Sequence, residues 1–122
     1  MFEVTIIKSF SAAHLLAEIG GKCEELHGHN FKVEITVAAK ELNYNGLLID
    51  FRFLKKVLSE ILEELDHKHL NSLISFANIN PSAENIAKYI YEKMQLKVKT
   101  ADVNVVQVKI WESEDAAVTY IP

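Results

Sequence analysis

The stretch "HNFKVEITVAAK" (residues 29–40) constrains the fold of this chain more than any other. Phe31, Val33, Ile35 and Val37 alternate with Lys32, Glu34 and Thr36. Successive side chains of a strand point to opposite faces, so this segment reads as a strand with one buried face and one wet face. Such a face needs a covering layer.

The rest of the chain supplies both partners and cover. Residues 2–14 alternate as well, with Phe2, Val4, Ile6, Phe10 and Ala12 on one side. "NYNG" (43–46) signals a turn. After Asp50, a suitable N-cap, the apolar spacing becomes helical, and Phe51, Leu54, Leu58, Ile61, Leu62 and Leu65 form one stripe. Asn80-Pro81 opens a second helix with proline at its first position, and Ile86, Ala87, Ile90 and Met94 make its stripe. Residues 102–112 and 115–121 return to strand around "ESED", a hairpin turn. The order β-β-α-α-β-β predicts an α+β fold: a four-stranded antiparallel sheet with both helices on one face, in a single domain spanning 1–122.

Composition narrows the function. The 122 residues are 49% hydrophobic and 25% charged, as in ordinary globular proteins, and can bury roughly two thirds of the unfolded surface. A net charge of −4 provides no whole-chain attraction to nucleic acid or anionic membrane. One cysteine cannot form an intrachain disulfide, and "MFEVTIIKSF" lacks the features of a signal peptide. No apolar run approaches the length that spans a bilayer, so the expected location is the cytoplasm.

The same alternation places the histidines. His27 and His29 extend the inward row of Phe31, Val33, Ile35 and Val37, and His14 continues the even-numbered row of the first strand if no bulge intervenes. Three imidazoles would then stand at the strand ends on the buried side, with Gly28 allowing another group to approach the backbone. Three nitrogen ligands with one open position is the build of a catalytic zinc site. The plainer alternative is a set of hydrogen-bonded histidines near a turn.

Cys23, in "KCEELHGHNF", admits three readings: a fourth ligand closing a structural zinc site, a thiolate beside the metal acting as base or nucleophile, or an inert buried thiol. "LDHKHLN" (65–71) offers Asp66, His67 and His69 in a loop. An aspartate that orients a proton-relaying histidine is a recurrent catalytic pair, although histidine also suits a helix C-terminus through its dipole. Glu112 continues a row of Val106, Val108 and Ile110, which points a carboxylate toward an apolar pocket where it needs a partner: ligand N–H groups, an arginine or a lysine.

"FSAAH", "C-x3-H-G-H-N-F", "G-x-x-I-D-F", "L-D-H-x-x-L-N", "N-P-S-A-E-N-I-A" and "W-E-S" follow one another along nearly the whole chain. In that order they resemble the 6-pyruvoyl-tetrahydropterin synthase/6-carboxytetrahydropterin synthase family. The resemblance implies the tunnelling fold and rings of subunits, commonly hexamers built from two trimers, with active sites between subunits. It also implies zinc on His14, His27 and His29, Cys23 as the catalytic thiol, and Asp66 with His67 as its proton-transfer partners. Glu112 would anchor the pterin's 2-amino and N3 groups, with further contacts near Ser82 and Ala83. The implied substrate is 7,8-dihydroneopterin triphosphate. In this scheme Cys23 is no permanent ligand, because a coordinated thiolate is a weaker base. Lys22, Lys32, Arg52, Lys68 and Lys109 are unranked candidates for holding the triphosphate.

The short C-x3-H-G-H spacing resembles the prokaryotic 6-carboxytetrahydropterin synthases of the queuosine and deazapurine pathway, which release acetaldehyde and triphosphate. Glu24 stands where a folate-related branch, cleaving the side chain to 6-hydroxymethyl-dihydropterin, has its catalytic glutamate, so dual activity is the second expectation and the pyruvoyl product the third. A different class, a non-catalytic zinc-stabilised module binding a pterin or purine, fits the same fold. The presence of Cys23, Asp66, His67 and Glu112 argues against it.

Overall fold

The computed structural model describes residues 1–122. Strands β1 (Phe2–His14) and β2 (His27–Ala39) form a long antiparallel pair, and helix α1 (Phe51–Glu63) follows a turn stabilised by Asn43. A two-residue strand β3 (Lys68–His69), helix α2 (Ala83–Val98) and the hairpin β4 (Asn104–Ser113) and β5 (Ala116–Tyr120) complete the chain.

The sheet has five strands in the order β3-β1-β2-β4-β5, and β3 runs parallel to β1. The expected four-stranded antiparallel sheet is corrected on both counts. Ala12 pairs with Lys68 and Ala13 with His69, so the segment read as a loop after α1 adds a short parallel edge. Two residues are too few for an alternation to register in the sequence.

Pairing between β1 and β2 runs unbroken from Phe2–Ala39 to His14–His27. With no bulge between them, Ile6, Phe10, Ala12 and His14 share the inward side with Phe31, Val33, Ile35 and Val37, all buried. Phe2, at the strand's start, is exposed instead. The β2–β4 ladder does shift, between Thr36 and Val37. Thr36 pairs with Gln107 and Val37 with Val105, leaving Val106 as an extra residue. The inward row of β4 is therefore Val103 and Val105 before the bulge and Val108 and Ile110 after it. Val106 does not belong to it.

Both helices contribute to one core with this inward face. Asp50 caps α1 by accepting from the Arg52 amide, and Leu54, Val57, Leu58, Ile61 and Leu62 point inward, whereas Phe51 is exposed. Helix α2 begins at Ala83, two residues later than the proline signal indicates. Ser82 is its N-cap and accepts from the Asn85 amide at 3.2 Å, so Pro81 lies just outside the helix with its carbonyl free to bond elsewhere. No helix is long and apolar enough to cross a membrane.

Candidate metal centre and active-site cleft

The register that buries the core also assembles the histidines. His14 and His27 are direct partners across β1 and β2, and His29 follows two residues later on the same face. Their ring centroids lie 4.6 Å (His14–His27), 5.2 Å (His14–His29) and 4.8 Å (His27–His29) apart. One ring nitrogen from each falls within 4.8 Å of the others. Phe31, the next inward residue of β2, meets His14 and His29 edge-on and forms an apolar floor beneath them.

The hydrogen bonds set the tautomers. His14 Nδ1 donates to the Pro81 carbonyl at 2.7 Å, which leaves Nε2 as the unprotonated nitrogen. That Nε2 is buried with no hydrogen-bond partner. His27 Nδ1 donates in the same manner to the Glu25 carbonyl at 2.8 Å. Backbone carbonyls that take one ring N–H and aim the other nitrogen are a recurrent support for metal-binding histidines. Burial pushes the His14 pKa below the usual histidine range. The neighbouring His27 and His29 add to the fall, while the Pro81 carbonyl and Glu112 oppose it. A neutral imidazole with a lone pair facing inward is what a divalent ion requires, so these residues fit zinc. Sequence reasoning did not find the Pro81 carbonyl, and a backbone acceptor leaves no signal in residue identity.

Glu112 reaches this centre from β4. It lies one residue beyond the Lys32–Trp111 pair, where the β4–β5 ladder shifts, and its Oε1 is 3.6 Å from His14 Nε2. Two acceptors at that distance repel unless a cation or an N–H donor lies near both. Cys23 sits in a short 3-10 turn, Gly21–Glu24, and is exposed, which removes the inert buried thiol from consideration. It is not one of the converging donors, but it lines a cleft of about 430 Å³ with Lys22, His27, His29 and Glu112.

Asp66 and His67 stand elsewhere. They occupy the turn between α1 and β3, where His67 has φ +57°, a left-handed backbone conformation uncommon outside glycine. Ser11 holds this turn from both sides: its amide donates to Asp66 Oδ1 at 2.9 Å and its carbonyl accepts from the His67 amide at 2.6 Å. The Ser11 amide holds the Asp66 carboxyl below the usual carboxylate range; desolvation opposes the fall and the His67 ring adds to it. Asp66 Oδ2 is 3.0 Å from His67 Nδ1, so the aspartate orients the ring. His67 is largely exposed and lines a second cleft, of about 470 Å³, with Ser11, Asn30, Lys68 and His69, and Gly28 and His29 border both clefts. Within one chain the Asp66–His67 pair and Cys23 therefore serve different clefts.

The remaining expected residues divide the same way. Ser82 caps α2 and Ala83 is buried in the core. Lys22 lines the Cys23 cleft and Lys68 the His67 cleft. Lys32 and Lys109 stack over Trp111, whose indole N–H is taken by Glu34, and Arg52 is paired with Asp50 at the start of α1. A larger hollow of about 600 Å³, at the opposite end of the sheet around Met1, Lys40, Leu48 and Asp102, contains no histidine or cysteine.

Comparison with known proteins gives a consistent picture. The family model described as 6-pyruvoyl tetrahydropterin synthase matches residues 3–122. A Pyrococcus furiosus protein named dihydroneopterin monophosphate aldolase is 37% identical over 90% of this chain and 89% of its own length. The Bacillus subtilis 6-carboxy-5,6,7,8-tetrahydropterin synthase is 34% identical over 99% of this chain and 86% of its own. The solved structure of Caenorhabditis elegans 6-pyruvoyl tetrahydropterin synthase superimposes with a TM-score of 0.89 at 27% identity, covering 99% of this chain and 95% of that one.

Proposed function

Because the chain belongs to the 6-pyruvoyl tetrahydropterin synthase family, we propose that it is a zinc-dependent lyase converting 7,8-dihydroneopterin triphosphate and water to 6-carboxy-5,6,7,8-tetrahydropterin, with release of acetaldehyde and triphosphate. The observation that carries this reading is the convergence of His14, His27 and His29, one of them with a buried and unpartnered nitrogen, in the cleft that Cys23 and Glu112 also line. Zinc held by the three histidines would supply Lewis acidity toward the substrate's side-chain hydroxyls, making the adjacent C–H protons easier to remove.

The chain's own groups supply the rest. Glu112 accepts from the pterin's 2-amino and N3 groups, and this places an N–H donor beside the carboxylate that faces His14. Cys23, exposed in the cleft with Lys22 at its side, takes a proton from the substrate side chain as thiolate. His67, held by Asp66, gives or receives the balancing proton. The two clefts of one chain meet at Gly28 and His29, but Cys23 lines only one and His67 only the other, which supports a working site that combines Cys23 of one subunit with His67 of another in a homo-oligomer. The hexamer of two trimers is the assembly we propose.

A second reading, side-chain cleavage to 6-hydroxymethyl-dihydropterin, is supported by the similarity to the Pyrococcus aldolase. Product identification separates the two. Zinc-loaded protein incubated with 7,8-dihydroneopterin triphosphate yields 6-carboxytetrahydropterin and acetaldehyde under the first reading, and 6-hydroxymethyl-dihydropterin under the second. Zinc binding without turnover would leave a non-catalytic pterin-binding module.

A further inference from the structure

Residues 15–24 form an arm that leaves β1 after His14 and leads back toward β2, with Cys23 near its end. Its first part is clamped by two asparagines. Asn71 accepts from the Leu15 amide at 2.9 Å and donates to the Leu15 carbonyl at 3.0 Å. Asn80 does the same for Ala17, at 2.8 and 3.0 Å. Each side-chain amide thus occupies the place of a neighbouring strand. The Leu16 amide donates to the Cys23 carbonyl at 2.7 Å, which ties the thiol's residue to the clamped part.

The stretch between is held differently. Residues 17–26 are all exposed, and the backbone turns through positive φ at Glu18 (64°), Gly20 (84°) and Gly21 (68°). One side chain fastens the backbone of this turn: Glu24, whose Oε1 accepts from the Gly20 amide at 2.9 Å.

We propose that Glu24 is a positioning residue for Cys23 rather than a base in its own right. Its carboxylate closes the Gly20–Glu24 turn and so fixes where the thiol stands in the cleft. The inference rests on the lyase reading above and assigns the residue that stands next to the thiol. The two roles differ in what they require. A brace needs an oxygen acceptor, which the amide of glutamine also provides, whereas a base needs a carboxylate.

The test compares full-length wild type, E24Q and E24A. Amide hydrogen exchange over residues 15–26 is expected to rise in E24A and to stay at the wild-type level in E24Q. With 7,8-dihydroneopterin triphosphate, E24A is expected to lose about tenfold or more in kcat, the scale of a sub-ångström to ångström misplacement. Its KM should stay within about twofold, because the pterin's anchor in that cleft, Glu112, is carried by β4 and not by the arm. E24Q should stay close to wild type in kcat and in product. Equal loss of turnover in E24Q and E24A would make Glu24 a proton-transfer group and overturn the proposal, as would unchanged exchange in E24A. If wild type itself turned over none of this substrate, the lyase reading would fail, and the exchange comparison would still decide whether Glu24 braces the arm.

Discussion

His14 is both a core side chain and an open electron pair. It is fully buried over Phe31, yet its Nε2 meets no donor. Alanine at this position should abolish zinc binding and also leave a cavity and an orphaned Pro81 carbonyl, costing about 2–4 kcal/mol of stability. His29→Ala, at a partly exposed position, should abolish zinc binding with a smaller stability loss. Metal analysis and denaturant titration of the two variants check both halves. Asp66 gives a pH signature. Its folded pKa lies below the ordinary 3.8, so its contribution to stability is complete above that value and is lost as pH falls through the lowered one. The acid limb of the stability curve should therefore be shallower in Asp66→Asn. The same variant loses the group that orients His67, so kcat should drop about tenfold or more with little change in KM.

At the scale of elements, the strand period carried most of the information. His27 and His29 lie on the buried side because Phe31 does, and two-residue parity makes that deduction secure wherever pairing is regular. The same reasoning failed for Val106, because a bulge changes parity without changing composition and valine suits either face. It also missed β3, whose identity depends on a pairing with Ala12 and Ala13 far away in sequence. The start of α2 was misplaced by two residues, because proline before a serine reads equally well as the first helical position or as the residue preceding the cap. The cap is testable. Ser82→Ala should cost about 1 kcal/mol and Ser82→Gly only a few tenths, measured by denaturant unfolding. A larger loss of activity than of stability in Ser82→Ala would indicate that the hydroxyl also serves a ligand.

Across the whole molecule, the candidate groups gather at one end of the sheet but not in one cleft. Residue types and spacing made the histidine centre legible. The separation of Cys23 from Asp66–His67 was not legible in the spacing, which does not say which cleft each loop lines, and only the family resemblance, with its active sites between subunits, implied it. It predicts complementation: C23A and H67A, each inactive alone, should recover roughly a quarter of wild-type activity when dissociated and randomly reassembled in equal amounts. No recovery after verified subunit exchange would place both groups in the site of a single chain.

The ladder shift in β4 has a consequence for chain length. Removing a residue from a strand ordinarily turns every side chain beyond the gap to the wrong face. Here the partner strand advances by one residue, Thr36 to Val37, while β4 advances by two, Gln107 to Val105. Deleting Val106 would make the count equal and leave Val103, Val105, Val108 and Ile110 facing inward. The shortened protein should fold, bind zinc and unfold cooperatively, whereas deletion of Val108, which also equalises the count but brings Gln107 into the inward row opposite Ile35, should destabilise the fold. The sheet therefore has a point at which its length can change by one residue while the core and the histidine end keep their places.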